Sequence, residues 1–224
     1  PGATIFVNYA NNEEMANSAV AGAEERGATA IAVQADMGTE EGVDKLFDAV
    51  RQECGTLDVL VYNAFQHSNG NPLEVGFDVL DRCIAVGPYA FLRSARHFAA
   101  LCSDAGGRIV CTGSVATRRI FSKQGTGYFP MAAAKAIQEV ATRYLAVELS
   151  SRNITVNMVL AGWLTTEYVM DNMTDDFMDR VSKKTPLGRW ASPGEMADVV
   201  QYLASPQASW ITGQIITADG GLTL

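Results

Sequence analysis

The chain has 224 residues, of which 48% are hydrophobic and 19% charged, and a formal net charge of -8. This length and composition suffice to bury one sizeable core, and the acidic balance argues against a nucleic-acid binder, whose affinity rests on cations meeting phosphates. No apolar run approaches the roughly 20 residues of a membrane span, and the four cysteines and two histidines show neither a CxxC pair nor enough ligands for a typical zinc site.

Short, branched and nearly continuous apolar runs at 4–8, 30–34, 57–62, 108–112, 155–160 and 214–217 predict buried strands. Between the second and third, Val43, Leu46, Phe47 and Val50 form one apolar stripe with Glu40, Glu41, Asp44 and Lys45 outside it, which predicts a helix. The stretch 77–102 carries Leu80, Ile84, Phe91, Leu92 and Phe98, and Pro88 is expected to kink or divide the helix they imply. Another helix is predicted over 131–149, and 171–184 is expected to act as a lid, with Met170, Met173, Phe177 and Met178 available to line an acyl channel. Strands alternating with helices of this length imply right-handed crossovers and a parallel sheet covered on both faces. The expected fold is therefore α/β, a doubly wound Rossmann-like sheet in a single domain over residues 1–224. Cys54, Cys83, Cys102 and Cys111 are expected as reduced, buried thiols, and the opening residues show no signal-peptide layout, which gives a cytoplasmic expectation.

The pair Tyr128 and Lys135 carries the chemistry. A phenol beside an ammonium is expected nearer to ionisation, so that it can hydrogen-bond or protonate an oxygen that becomes negative during hydride transfer. By itself a tyrosine and a lysine seven apart share a helix face often enough to mean little.

Further residues place the pair in a context. Asp36 and Met37 follow the second strand, Asn63-Ala64 ends the third, Gly113-Ser114 ends the fourth, Gly162 and Thr166 follow the fifth, and Gly213-Gln214 precedes the last. In this order they resemble the short-chain dehydrogenase/reductase family over nearly the whole chain. The family's usual spacing is Tyr-x3-Lys, which falls on Met131 here; the Tyr-x6-Lys spacing of Tyr128 and Lys135 resembles the enoyl-acyl carrier protein reductases, closest to enoyl reductase III, as does the run 141–150.

The resemblance implies an NADPH- or NADH-dependent reductase of trans-2-enoyl thioesters, carried by an acyl carrier protein or coenzyme A. Tyr128 would stabilise the enolate, Lys135 would hold the nicotinamide ribose, and Ser114 would assist at the thioester. Asp36, Met37, Asn63, Ala64, Gly162 and Thr166 would contact the cofactor, while Phe65, Met131 and Trp163 would line the substrate pocket. Arg118, Arg119 and Lys123 form a basic patch that could meet an acidic carrier or a coenzyme A phosphate. A homotetramer or homodimer is implied, paired through the helices at 77–102 and 131–149. A carbonyl or hydroxyl oxidoreductase is the alternative within redox chemistry, and a non-redox catalyst or binding protein that has lost nucleotide binding is the alternative outside it.

Three features depart from the family. Residues 1–4 already approach its second strand, so its first strand, glycine-rich turn and first helix do not occur in this sequence, and with them goes the cradle for the cofactor pyrophosphate. Either a preceding segment completes the sheet, or the 4–8 strand closes directly onto 57–62, or another chain donates a strand. Val86 stands where many members keep an asparagine, and Trp163 replaces a usual proline.

Overall fold

The computed structural model describes residues 2–120 and 127–224. In chain order it contains β1 (Thr4–Tyr9), α1 (Glu13–Glu24), β2 (Thr29–Gln34), α2 (Glu40–Glu53), β3 (Val59–Tyr62), α3 (Phe77–Ile84), α4 (Ala90–Leu101) and β4 (Gly107–Ser114). There follow α5 (Phe129–Leu149), β5 (Ile154–Ala161), α6 (Glu167–Asn172), α7 (Asp175–Lys184), α8 (Pro193–Ala204) and β6 (Ile215–Ala218). Each predicted strand is present, and every described strand pairing is parallel.

Local chemistry sets the helix boundaries. Thr39 opens α2 by accepting the Gly42 N–H at 3.0 Å, two glutamates occupy its first turn, and Val43, Phe47 and Val50 of the expected stripe are buried. Ser192 and Glu195 form a reciprocal capping box at the start of α8. Pro88 interrupts its helix, as expected, by dividing it into α3 and α4. The five residues Ala85–Tyr89 form a π-helical turn joining α3 to α4, which accommodates a ring that an α-helical turn would press against the carbonyl four residues back.

The core is layered as a doubly wound fold requires. Phe47, Phe91, Phe98, Ile109, Met158 and Leu160 lie in one cluster that α2, α4 and α5 cover. Val110, Val159, Met196, Leu203 and Ala208 form a second cluster under α8. Strand β5 is buried from Ile154 through Leu160, as expected of a strand with helices on both faces. Each fully buried large side chain contributes about 1.5–3 kcal/mol. No described helix is long and apolar enough to cross a membrane. Cys83, Cys102 and Cys111 are buried thiols, whereas Cys54, just past α2, is exposed, contrary to expectation.

One relationship in the sheet differs from a closed arrangement. β1 pairs with β2 in a two-stranded sheet, and β3-β4-β5-β6 form a four-stranded one. Direct closure of the 4–8 strand onto 57–62 therefore does not occur, and among the described residues no strand pairs with the outer edge of either. The cost of unpaired amides is limited because these edges meet solvent: Ile5, Val59 and Val61 are exposed.

Candidate active site

The C-terminal ends of β3, β4 and β5 converge with the N-terminus of α5. Tyr128 is the residue that caps α5, and Lys135 lies two turns inside it. The Lys135 side chain is buried and its Nζ donates to the Thr112 carbonyl at 2.7 Å. The Thr112 hydroxyl in turn donates to Asn63 Oδ1 at 2.7 Å, which joins the ends of β3 and β4 to the lysine. Burial lowers the pKa of Lys135, an effect partly opposed by the neighbouring Cys111. The Cys111 thiol is itself pushed up to about 12 by burial. An ammonium has three donors, and only the Thr112 carbonyl takes one here among the described residues.

Tyr128 sits in a set of rings. His67 approaches it edge-on with centroids 6.0 Å apart, Trp163 does so at 6.0 Å, and Tyr168 on α6 lies 5.4 Å from His67. Trp163 continues the set to Phe177 on α7 at 5.3 Å and to Trp190 at 5.0 Å. The Trp190 indole N–H donates to the Met178 carbonyl at 3.1 Å, which fixes α7 beside the rings. The Tyr128 phenol is not drawn toward ionisation as the sequence suggested. Burial, and next Tyr168, raise its pKa, and the lysine ammonium is turned to Thr112 instead.

The remaining expected residues divide between the two groups. Phe65 lies against Lys135, with Nζ 5.9 Å from the ring centroid, while Trp163 joins the Tyr128 set. Met131 is half-buried in the first turn of α5. The Ser114 hydroxyl accepts the Ala116 N–H at 3.2 Å and still has a proton to donate. Gly162 donates its N–H to Ala218 at 3.0 Å and has no room for a side chain, since a Cβ would fall 2.8 Å from the Asp219 Cα. Thr166 caps α6 through the Val169 N–H.

At the far end, Asp36 accepts Arg82 through both carboxylate oxygens, at 2.7 and 3.0 Å, and the Gly38 N–H at 2.8 Å. The arginine hydrogen bond, and then the backbone one, hold this carboxyl below the usual range. Gly38 leaves room for this approach, since a Cβ there would lie 1.9 Å from the guanidinium and the arginine would have to shift. The Met37 side chain is buried in the core, so its main chain is what faces outward chemistry.

The basic patch is not a free surface of cations. Arg118 makes a two-pronged ion pair with the buried Glu139 on α5, and Arg119 donates to the Leu222 carbonyl. Lys123 lies outside the described residues. Sequence reasoning missed His67, Tyr168 and Trp190, none of which stands at a spacing that marks it. His67 lies in the loop after β3, and the contact of Gly70 N–H with the Gly127 carbonyl at 2.7 Å brings that loop to Tyr128.

A nicotinamide ribose suits this arrangement. The buried ammonium of Lys135 has donors to spare beside the hydrogen-bonded ends of β3 and β4, and such a group is stable when a diol meets it.

Comparison with known proteins agrees with the fold and the chemistry. Residues 1–223 match a family model described as enoyl-(acyl carrier protein) reductase. The chain is 37% identical to 1-cyclohexenylcarbonyl-CoA reductase of Streptomyces collinus, over 100% of this chain and 79% of that protein. The structure of LugOII, a reductase catalysing keto-reduction at C1 in lugdunomycin biosynthesis, superposes with a TM-score of 0.90 at 31% identity, covering 100% of this chain and 89% of the other. The angucycline C-6 ketoreductase LanV with bound NADP gives a TM-score of 0.87 at 28% identity, covering 99% and 95%. These relatives are named as reductases, and the two solved structures share the α/β architecture found here. The chain belongs to the short-chain dehydrogenase/reductase family of nicotinamide-dependent oxidoreductases, close to its enoyl reductase type.

Proposed function

We propose that the protein reduces the double bond of a 2-enoyl thioester at the expense of NADPH or NADH. The reading rests above all on Tyr128 at the N-cap of α5 with Lys135 buried two turns on, in the Tyr-x6-Lys spacing, and Met131 where a Tyr-x3-Lys enzyme needs its phenol. A bound reduced nicotinamide supplies the hydride, which goes to the β-carbon. Tyr128 meets the thioester oxygen as negative charge develops there; its raised pKa keeps the phenol protonated, so it acts as a hydrogen-bond donor. Lys135 holds the ribose through its spare donors, and Asn63, Ala64, Gly162 and Thr166 flank the nicotinamide end. Asp36 and the Met37 main chain meet the adenine, with the carboxylate already oriented by Arg82. The Ser114 hydroxyl is directed at the thioester. Phe65, Met131 and Trp163 shape the acyl pocket, with α6 and α7 as its lid.

A relative that acts on a cyclohexenylcarbonyl-CoA supports a coenzyme A thioester over a carrier-bound one, and the engagement of Arg118 and Arg119 within the fold removes the main argument for an acidic carrier. The second reading, a carbonyl reductase using Tyr128, is favoured by the ketoreductase neighbours. Assembly into a dimer or tetramer is supported by the exposed apolar face of α5. A location in the cytoplasm remains the expectation from the sequence.

The test is oxidation of NADPH and NADH by the full natural chain with crotonyl-CoA and with acetoacetyl-CoA. Enoyl turnover that falls by about 100-fold or more in Tyr128→Phe supports the first reading. Turnover of the ketone alone establishes the second, and no nucleotide binding by folded protein overturns both.

A further inference from the structure

Reduction of an enoyl thioester requires a proton as well as a hydride. Addition of hydride to the β-carbon moves the double-bond pair onto the thioester oxygen as an enolate, and the reaction is complete only when the α-carbon gains a proton. Tyr128 is poorly suited to give it. Its pKa is raised by burial and by Tyr168, and the Lys135 ammonium is turned to the Thr112 carbonyl rather than to it.

The molecule holds two histidines. His97 is committed to structure, with Nε2 2.9 Å from Asp44 and its ring stacked on Phe47 at 4.8 Å. His67 is not. It packs between Tyr128 and Tyr168, and among the described residues its side chain makes ring contacts only. Its carbonyl, rather than its ring, takes the local hydrogen bonds from Gln66 and Ser68. The residue is exposed, so the imidazole is in proton exchange with water on one side while its ring meets the Tyr128 ring on the other. Its loop is fixed to the Tyr128 segment by the Gly70 to Gly127 hydrogen bond.

We infer that His67 is the proton donor to the α-carbon, working beside Tyr128, which holds the enolate oxygen. This assignment rests on the enoyl-thioester reading. In the step, a ring N–H bond of the imidazolium breaks and the α-C–H bond forms, while the enolate pair restores the thioester carbonyl. The substrate gains hydride and proton, the nicotinamide is oxidised by two electrons, and water returns the proton to the imidazole. An imidazole suits the task because it can give up a ring N–H proton and regain one from water.

The experiment reduces crotonyl-CoA in D2O with the full natural chain, its His67→Ala and its His67→Phe, following rate and the configuration of the α-deuterium. His67→Phe retains a ring against Tyr128 and Tyr168, so it separates packing from proton transfer. The expected result is an α-deuterium of single configuration in the wild type. Both variants should lose about 100-fold or more in kcat, with KM little changed and scrambled α-configuration. Added imidazole should rescue His67→Ala, whose site is open to solvent, and leave His67→Phe unrescued. Undiminished kcat and unchanged α-configuration in either variant would overturn the assignment alone, and a wild type that reduces no enoyl thioester would overturn it together with the reading it rests on.

Discussion

The hydroxyl of Tyr62, at the end of β3, donates to the main-chain carbonyl of Val86 in the π-helical turn between α3 and α4. That carbonyl is available because the Ala90 N–H, which a regular α-helix would direct to it, bonds Ala85 and Gly87 instead. Pro88 thus has a structural consequence one strand away: the turn that holds it frees an acceptor, and the phenol next to Asn63 takes it. Both partners are buried, and the Tyr62 pKa is strongly raised by that burial.

Removing the phenol leaves a buried carbonyl without its partner. Tyr62→Phe is expected to lose about 1–3 kcal/mol of stability, read as a lower midpoint in urea at unchanged slope. Equal midpoints for variant and wild type would mean that water replaces the hydroxyl without loss.

Lys135 and Tyr128 depart from their ordinary values in opposite directions, which makes the alkaline side of the pH profile diagnostic. Burial places the lysine below 10.5, and burial places the phenol above 10.0. The lysine therefore gives up its charge at lower pH than is usual for its kind, and the phenol holds its proton to higher pH than is usual for its kind. The alkaline fall in kcat/KM is therefore expected to belong to Lys135. In a Lys135→Arg variant that retains activity, the fall should move to higher pH, because a guanidinium stays charged throughout. An alkaline limb unchanged in that variant would assign it elsewhere.

Periodicity made most of the fold legible. The Val43, Phe47 and Val50 stripe and the continuous apolar run of β5 announce a buried helix face and a doubly covered strand, and both occur as expected. Pro88 was legible only as a disturbance, because whether a proline kinks, ends or bulges a helix depends on which groups can take the freed carbonyls, and Tyr62 is distant in sequence. The site was legible where it depends on spacing along one helix, as for Tyr128 and Lys135. It was not legible where side chains from separate loops meet, as His67, Tyr168 and Trp190 do around Tyr128 and Trp163. The basic patch failed for the same reason: Arg118 looks solvated in sequence, and its partner Glu139 lies 21 residues on in α5.

That ion pair carries a stability prediction. Glu139 is 5% exposed, so Arg118→Ala leaves a carboxylate buried and uncompensated. The expected loss is about 1–3 kcal/mol, since the arginine itself is partly solvated. The double change Arg118→Met with Glu139→Leu should recover much of it, because it removes the stranded charge along with its partner. Thermal unfolding of the three proteins at neutral pH checks the order.

The outer face of α5 exposes Ile137, Val140, Tyr144 and Val147, with Tyr144 at 72% and Val147 at 73%. Their spacing of three or four residues keeps them on one stripe. A second copy of the chain is the expected partner of this stripe, so Tyr144→Glu with Val147→Glu should shift sedimentation to that of a monomer. Unchanged sedimentation would place any assembly on another face.

Hydrogen exchange reads the unpaired edges of the sheet residue by residue. The Ala3 and Tyr9 carbonyls accept from Thr29, the first residue of β2, and from Ala35, just past its end, so the odd positions of β1 face β2 and the N–H groups of Thr4, Phe6 and Asn8 face away. In β3 the Asp58 carbonyl accepts from Arg108, so Val59 and Val61 face away from β4 while Leu60 faces it. In the 224-residue chain, the amides of Thr4, Phe6, Asn8, Val59 and Val61 are expected to exchange as freely as unstructured ones, while Ile5, Val7 and Leu60 are protected. Protection of both sets would mean that each strand has partners on both sides, and that the sheet closes in solution where its two halves here do not pair.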